Sequence, residues 1–106
     1  MAKYMLRANY TQQGLAGLLK EGGSGRRRAL TQTVEGVGGK VEAMYYAFGD
    51  CDLYLIVDLP DETSAAALSL AIGAAGALDL KITVLLTPET VDEAVAQSVS
   101  YRAPGE

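Results

Sequence analysis

Apolar and polar residues alternate along the first segment of the chain, residues 3–10. The apolar or aromatic set falls on one side: Tyr4, Leu6, Ala8 and Tyr10. A period of two residues is typical of a β-strand with one buried face. Similar apolar patterns over residues 40–48, 52–59 and 77–86 predict three further strands. The short connection 49–51 makes the second and third strands antiparallel neighbours.

Helical spacing and capping residues predict helices between these strands. Thr11 is expected to cap a helix over residues 12–21, and a glycine-rich run, residues 22–25, separates it from a second helix that ends before Gly38. Residues 61–75 form an alanine-rich helix, expected to be buried all round because it has almost no polar face. Thr87 and Pro88 begin a final helix as N-cap and first helical residue.

The order β-α-β-β-α-β plus a terminal helix predicts an α+β, ferredoxin-like fold. In such a fold a four-stranded antiparallel sheet has its helices on one face. A chain of 106 residues accommodates one domain. We expect that domain to span residues 1–99 and residues 100–106 to form a flexible tail.

The face of the sheet opposite the helices is expected to be too apolar for contact with water. Strict alternation assigns twelve residues to it: Met5, Arg7, Asn9, Met44, Tyr46, Phe48, Tyr54, Ile56, Asp58, Lys81, Thr83 and Leu85. Monomers rarely leave apolar patches of more than a few hundred Å² uncovered. We expect the same face of a second copy to cover it, giving a homodimer or a larger homo-oligomer. The alternative is that the C-terminal helix folds back over it.

Composition restricts the partners and the chemistry. The net charge of −4 argues against nucleic-acid and anionic-membrane surfaces. The chain has no histidine, which excludes histidine-dependent catalysis and the common zinc sites. No export signal is visible near the N-terminus, and a single cysteine excludes an internal disulfide, so the cytoplasm is the expected compartment. No catalytic residue, metal or cofactor is assigned.

Three segments together resemble the GYD domain family of small bacterial proteins. They are the run from Leu15 to Ser24, the turn and strand from Tyr46 to Asp61, and the helix start from Leu86 to Glu89. The resemblance implies a dimeric α/β-barrel of ferredoxin-like subunits. It implies no activity, because the function of the family is unknown. The chain departs from the family signature at Cys51, which stands before Asp52 where the family has tyrosine.

Polar side chains among the apolar residues of the second face are the main candidate ligand site. They are Arg7, Asn9, Tyr46, Tyr54, Asp58 and Lys81. A few polar groups in an apolar hollow are typical of small-molecule sites. We therefore expect a non-enzymatic binding or regulatory module. The alternative is a cofactor-free enzyme for a small apolar or aromatic substrate, with Tyr46, Tyr54, Asp58 or Lys81 as acid or base.

The glycine-rich run and the arginines after it form a weaker, alternative anion site. Its residues are Ser24, Arg26, Arg27 and Arg28, with backbone amides and guanidinium groups as donors. Cys51 lies between Asp50 and Asp52, whose charges disfavour a reactive thiolate, so we interpret it as a turn residue. Those two aspartates are interpreted as turn and strand-end residues rather than metal ligands.

Overall fold

The structure, a computed structural model, describes all 106 residues of the chain. Its elements are β1 (Ala2–Tyr10), α1 (Gln12–Gly36), β2 (Lys40–Tyr46), β3 (Leu53–Leu59), α2 (Glu62–Ala75), β4 (Leu78–Leu85) and α3 (Pro88–Ala96). This is the predicted order, and the ends of the strands lie within two residues of those expected from the pattern. The sequence therefore predicts the α+β class and the element order correctly.

The four strands form one open antiparallel sheet in the spatial order β2-β3-β1-β4. β1 and β3 occupy the centre, in a register that places Leu6 opposite Leu55 and Arg7 opposite Tyr54. β4 pairs with the other side of β1, where Lys81 lies opposite Arg7. This is the strand order of the split β-α-β pattern, so the ferredoxin-like fold is confirmed.

The hydrophobic core lies between one face of this sheet and the two longer helices. Tyr4, Leu6 and Ala8 of β1 reach it together with every second residue of β3, beginning at Leu53. Leu30 and Val34 of α1 and Leu68 of α2 cover them from the helix side. Each fully buried side chain of this size stabilises the folded state by about 1.5–3 kcal/mol.

Helix α1 is interrupted at Gly22. This glycine has a φ of 75° and a ψ of 168°, a combination that residues with a Cβ rarely adopt. The helix direction changes there, so the prediction of two helical halves is correct. The interruption is shorter than expected, because Gly23, Ser24 and Gly25 are already helical.

Caps at both ends define α2, yet most of its surface is exposed. The Asp61 carboxylate accepts a hydrogen bond from Ser64 N at 2.8 Å, and Gly76 ends the helix in the left-handed conformation. Only Ala65 and Leu68 are buried, and Leu70 is 73% exposed. The expectation that this helix is buried all round is therefore wrong for the single chain, since it packs on the sheet along one stripe.

A bulge in β2 reverses the sides on which its later residues lie. Val41 pairs with Val57, but the next pair is Ala43 with Ile56, so two β2 residues occupy the space of one. Beyond this point every β2 side chain points to the opposite face from the one that strict alternation assigns. Met44 and Tyr46 therefore lie on the helix-covered face, and the prediction that placed them on the second face is wrong.

Helix α3 extends away from the rest of the molecule. Thr87 caps it and Pro88 begins it, as predicted, but it has no buried residue. The radius of gyration is 17.0 Å, whereas a compact domain of this length has about 13 Å. Residues 97–106 form no helix or strand. None of the helices is both long enough and apolar enough to cross a membrane.

Candidate functional site

The second sheet face, which the helices leave uncovered, carries both apolar and charged residues. Its large apolar or aromatic side chains are Met5, Tyr45, Tyr54, Ile56 and Leu85. Four of these are half-buried by their neighbours, and Tyr45 is 72% exposed. The face is thus less apolar than expected, because the bulge in β2 removes Met44 and Tyr46 from it and Phe48 follows the end of the strand.

At one end of this face, the ammonium group of Lys3 forms ion pairs with two carboxylates. Lys3 Nζ donates to Asp58 Oδ1 at 2.9 Å and lies 3.2 Å from Glu42 Oε2. The hydrogen bonds to Asp58 and then to Glu42 raise the pKa of Lys3 above its ordinary value of 10.5. Asp58, predicted as a ligand or acid-base residue, therefore already has a cationic partner within the chain.

At the other end of the face, two cations lie side by side without an anionic partner. Arg7 and Lys81 are directly opposite each other on β1 and β4, an arrangement that is destabilising for like charges. Neither takes part in any of the ion pairs of the chain. Arg7 Nε is shielded from solvent and has no hydrogen-bond partner. Asn9 and Asp79 form the adjacent pair, and Asp79 does not approach either cation closely enough for an ion pair.

Tyr54 borders the Arg7 end of the face and is linked to the loop between β2 and β3. Its neighbour Cys51 is 9% exposed, which makes this thiol a buried residue rather than the surface turn residue that the sequence indicated. Hydrogen bonding to Cys51 raises the pKa of Tyr54, and the nearby Asp50 charge acts in the same direction. The phenol of Tyr54 consequently resists deprotonation at neutral pH.

Tyr46, a predicted member of the same site, lies instead on the helix side of the sheet. Its hydroxyl donates to Gly23 O at 3.3 Å, next to the interruption of α1. Burial, followed by the neighbouring Tyr10 phenol, raises the pKa of Tyr46 to about 12. The structure therefore brings together Arg7, Asn9, Tyr54 and Lys81, places Asp58 at the far end of their face, and separates Tyr46 from them.

Two residues near these positions were not among the predicted site residues. Tyr45 takes the place on the second face that was assigned to Tyr46, opposite Tyr54. Tyr10 is 9% exposed and has a buried hydroxyl at the end of β1. The alternating pattern predicts that Tyr10 is a core residue. Because a tyrosine carries a hydroxyl, the same prediction implies that a polar group is buried at this position.

The structure does not bring all residues of the alternative anion site together: Ser24 and Arg27 line one pocket, and Arg27 and Arg28 line another. Arg26, Arg27 and Arg28 are consecutive on a helix, so their side chains point in directions about 100° apart. Arg26 Nη1 lies 3.4 Å from Glu21 Oε2 and is already paired. Ser24 is helical, one turn or less from all three, and donates no hydrogen bond.

Asp52 of the β2–β3 loop has a structural role. Asp52 Oδ2 accepts a hydrogen bond from Tyr10 N at 2.9 Å, and Asp52 N donates to Ala8 O at 3.0 Å. These contacts attach the loop to the end of β1. Asp50, Asp52 and Asp58 do not come together as a ligand set, and no other group of three or more metal-binding side chains is formed.

The fold and the uncovered polar-apolar face define a ferredoxin-like α+β domain with a four-stranded sheet and helices on one side only. The chain belongs to the GYD domain family: the sequence profile of this domain matches residues 4–95, which include every element except the first two residues of β1 and the last residue of α3. The resemblance inferred from the three segments is thereby confirmed. A comparison with curated proteins finds no significant match.

Proposed function

We propose that this protein is a cytoplasmic, self-associating binding module that is not an enzyme. In this proposal the second sheet face packs on the same face of another copy and holds a small anionic molecule at Arg7 and Lys81. The main support is the unpaired Arg7, which lies beside Lys81 at one end of a half-buried face of apolar, aromatic and charged residues. The two parts of the proposal rest on separate features of that face.

Self-association is supported by what the chain leaves uncovered. Met5, Ile56 and Leu85 lie in adjacent strands on the second face, and no element of the same chain packs over them. Helix α3 is not the missing cover, because Val91 and Val95 are 46% and 80% exposed. A two-fold contact between two such sheets needs to bury about 1,200–2,000 Å² in total to be stable.

The anionic character of the ligand is supported by the charges at the Arg7 end. A second copy that covers this end removes Arg7 and Lys81 from water, which is costly for charges without partners. A carboxylate or phosphate bound between them restores the pairing, and a guanidinium group offers it a planar pair of donors. Tyr45 and Tyr54 provide an aromatic wall beside the cations.

The enzyme alternative has less support from the same residues. Asp58 is engaged by Lys3, and the pKa of Tyr54 is shifted upward, away from the range of a general base at neutral pH. Tyr46 lies on the other side of the sheet. The hydrogen-bonded acid and base on this face, Asp58 and Lys3, already neutralise each other in an ion pair, so we retain binding as the proposed function.

Thermal unfolding in the presence of benzoate and of cellular carboxylates and phosphorylated metabolites tests the ligand. A ligand of the folded state at one hundred times its dissociation constant adds about 2.7 kcal/mol to stability, so its shift in Tm is readily measured. We expect Arg7→Ala and Lys81→Ala each to reduce the shift strongly. The matched control, the triple change of Arg26, Arg27 and Arg28 to Ala, removes more positive charge and should leave the shift unchanged. Loss of the shift in the triple variant alone would refute the assignment.

A further inference from the structure

A pocket on the helix side of the sheet is separate from the second face. It lies where the interruption of α1 meets the loop between β2 and β3, and its volume is about 320 Å³. Leu15, Leu18 and Phe48 provide apolar walls, together with the rings of Tyr10 and Tyr46. This volume falls at the lower end of the range of about 300–1,000 Å³ that is typical of small-molecule sites.

One polar group in this pocket lacks the partner that its burial requires. Tyr10 is 9% exposed, and its hydroxyl is shielded from solvent and forms no hydrogen bond. A buried hydroxyl without a partner destabilises the folded state, because it has lost its hydrogen bonds to water. The Tyr10 phenol is near enough to raise the pKa of Tyr46, yet the Tyr46 hydroxyl donates to Gly23 O. The Tyr10 hydroxyl is thus free to donate to or accept from a ligand.

The Tyr46 ring lines the same pocket, and its phenol neighbours that of Tyr10. Tyr46 is 39% exposed and is held by a single hydrogen bond of 3.3 Å. Gly23 permits the close approach of that ring, because a Cβ at this position would lie 3.2 Å from Tyr46 Cε2. Binding at the shielded Tyr10 hydroxyl requires a side chain of the pocket wall to move, and the partly exposed Tyr46 is the neighbour of Tyr10 that can do so.

The walls determine which ligands are suitable. Three aromatic rings and two leucines favour a flat apolar molecule. The Asp52 carboxylate also lines the pocket, and its charge disfavours an anionic ligand there. A neutral aromatic compound with one hydrogen-bonding oxygen matches both features, since the oxygen satisfies Tyr10 and the ring occupies the apolar space.

We propose that this pocket is a second ligand site, which takes a neutral aromatic alcohol, aldehyde or ketone whose oxygen hydrogen-bonds to the Tyr10 hydroxyl. It goes beyond the proposed function because its residues lie on the opposite side of the sheet from Arg7 and Lys81. The ligand proposed for this pocket is also neutral, whereas the one proposed for the second face is an anion. Either proposal can therefore be refuted while the other stands.

The experiment is an amide chemical-shift titration of the ¹⁵N-labelled protein with three probes of similar shape: acetophenone, ethylbenzene and benzoate. Acetophenone is expected to shift the amides of Gly23, Ala47 and Asp52, with ethylbenzene weaker because it lacks the oxygen. Benzoate is expected to leave these amides unchanged. Shifts confined to β1 and β3 residues of the second face would overturn the pocket assignment while leaving the proposed function intact.

Tyr10→Phe is the decisive variant, because it removes one oxygen and keeps the ring. It should weaken acetophenone binding about three- to tenfold, the equivalent of one neutral hydrogen bond. It should also raise the Tm of the unliganded protein by several degrees, because the unpartnered hydroxyl is gone. Tyr101→Phe, the matched control in the exposed segment after α3, should change neither quantity.

A second variant tests the pocket independently, in case the Tyr10→Phe protein misfolds or rearranges. Ala47→Leu adds a larger side chain to the pocket wall and should abolish the acetophenone shifts while the rest of the spectrum is preserved. Unchanged acetophenone affinity in either Tyr10→Phe or Ala47→Leu would overturn the proposal. So would the absence of pocket shifts with all three probes.

Discussion

The two faces of the sheet use the same strands in different ways. On β3, Leu53, Leu55 and Val57 point to the helices and are at most 3% exposed, whereas their neighbours Tyr54 and Ile56 point to the uncovered face and remain half-buried. The first face is apolar, with Tyr4 and Tyr10 among aliphatic residues, and is covered by α1 and α2. The second mixes apolar, aromatic and charged groups and has nothing packed on it. The chain thus provides one complete core and a second face that no part of the chain covers.

Adjacent residues on β3 give the largest expected contrast between the faces. Leu55→Ala should lower the free energy of unfolding by about 2–5 kcal/mol at every protein concentration, because it leaves a cavity in a core that is complete within one chain. Ile56→Ala should cost less in dilute solution and more as concentration rises, because its contacts form only between copies. Urea unfolding over a range of protein concentrations measures both effects.

If the cost of Ile56→Ala does not vary with concentration, the two faces do not differ in the way described. Leu55→Ala then serves as the reference for an effect confined to the single chain. A cost for Ile56→Ala that equals that of Leu55→Ala at all concentrations would mean that the second face is also covered from within.

The neighbours Tyr45 and Tyr46 give a smaller contrast that depends on pH. The pKa of Tyr46 is raised from 10.0 to about 12. A pKa that is higher in the folded than in the unfolded state means that the phenol stabilises the fold below about pH 10 and that this contribution is lost as the pH rises toward 12. Tyr46→Phe should reduce the late part of the ultraviolet titration of tyrosinate, to which Tyr54 with its raised pKa also contributes. Tyr45→Phe should leave the late part unchanged, and a late part of equal size in Tyr46→Phe and wild type would contradict the placement of Tyr46.

Local patterns were sufficient to predict the element order and most helix ends. Period-two alternation identified β1 and β3 because one face of each is buried, and Thr11, Asp61 and Thr87 all cap the helices that follow them. The interruption of α1 followed from its cluster of glycines. These features depend on nearest neighbours along the chain, which is why a single sequence contains them.

The candidate site was only partly predictable, because it depends on pairing between strands. Arg7, Tyr54 and Lys81 fall on one face by alternation alone. Alternation also assigned Tyr46 to this face, and that prediction is wrong because of the bulge at residues 41–43. The bulge is a property of the β2–β3 register and leaves no local composition signal. The pairing of Lys3 with Asp58 and the unpartnered hydroxyl of Tyr10 likewise arise from residues far apart in the chain.

Light scattering on a sizing column, at micromolar protein concentration, tests the central claim that the second face is a self-association surface. The chain mass is 11.1 kDa, and the account predicts a wild-type mass of at least twice this value. Ile56→Asp should dissociate the assembly or unfold the protein, because it places a charge without a partner in the contact. Leu19→Asp, at a residue that is 87% exposed on α1, should retain the wild-type mass. A well-folded wild-type protein with the mass of one chain would contradict the account.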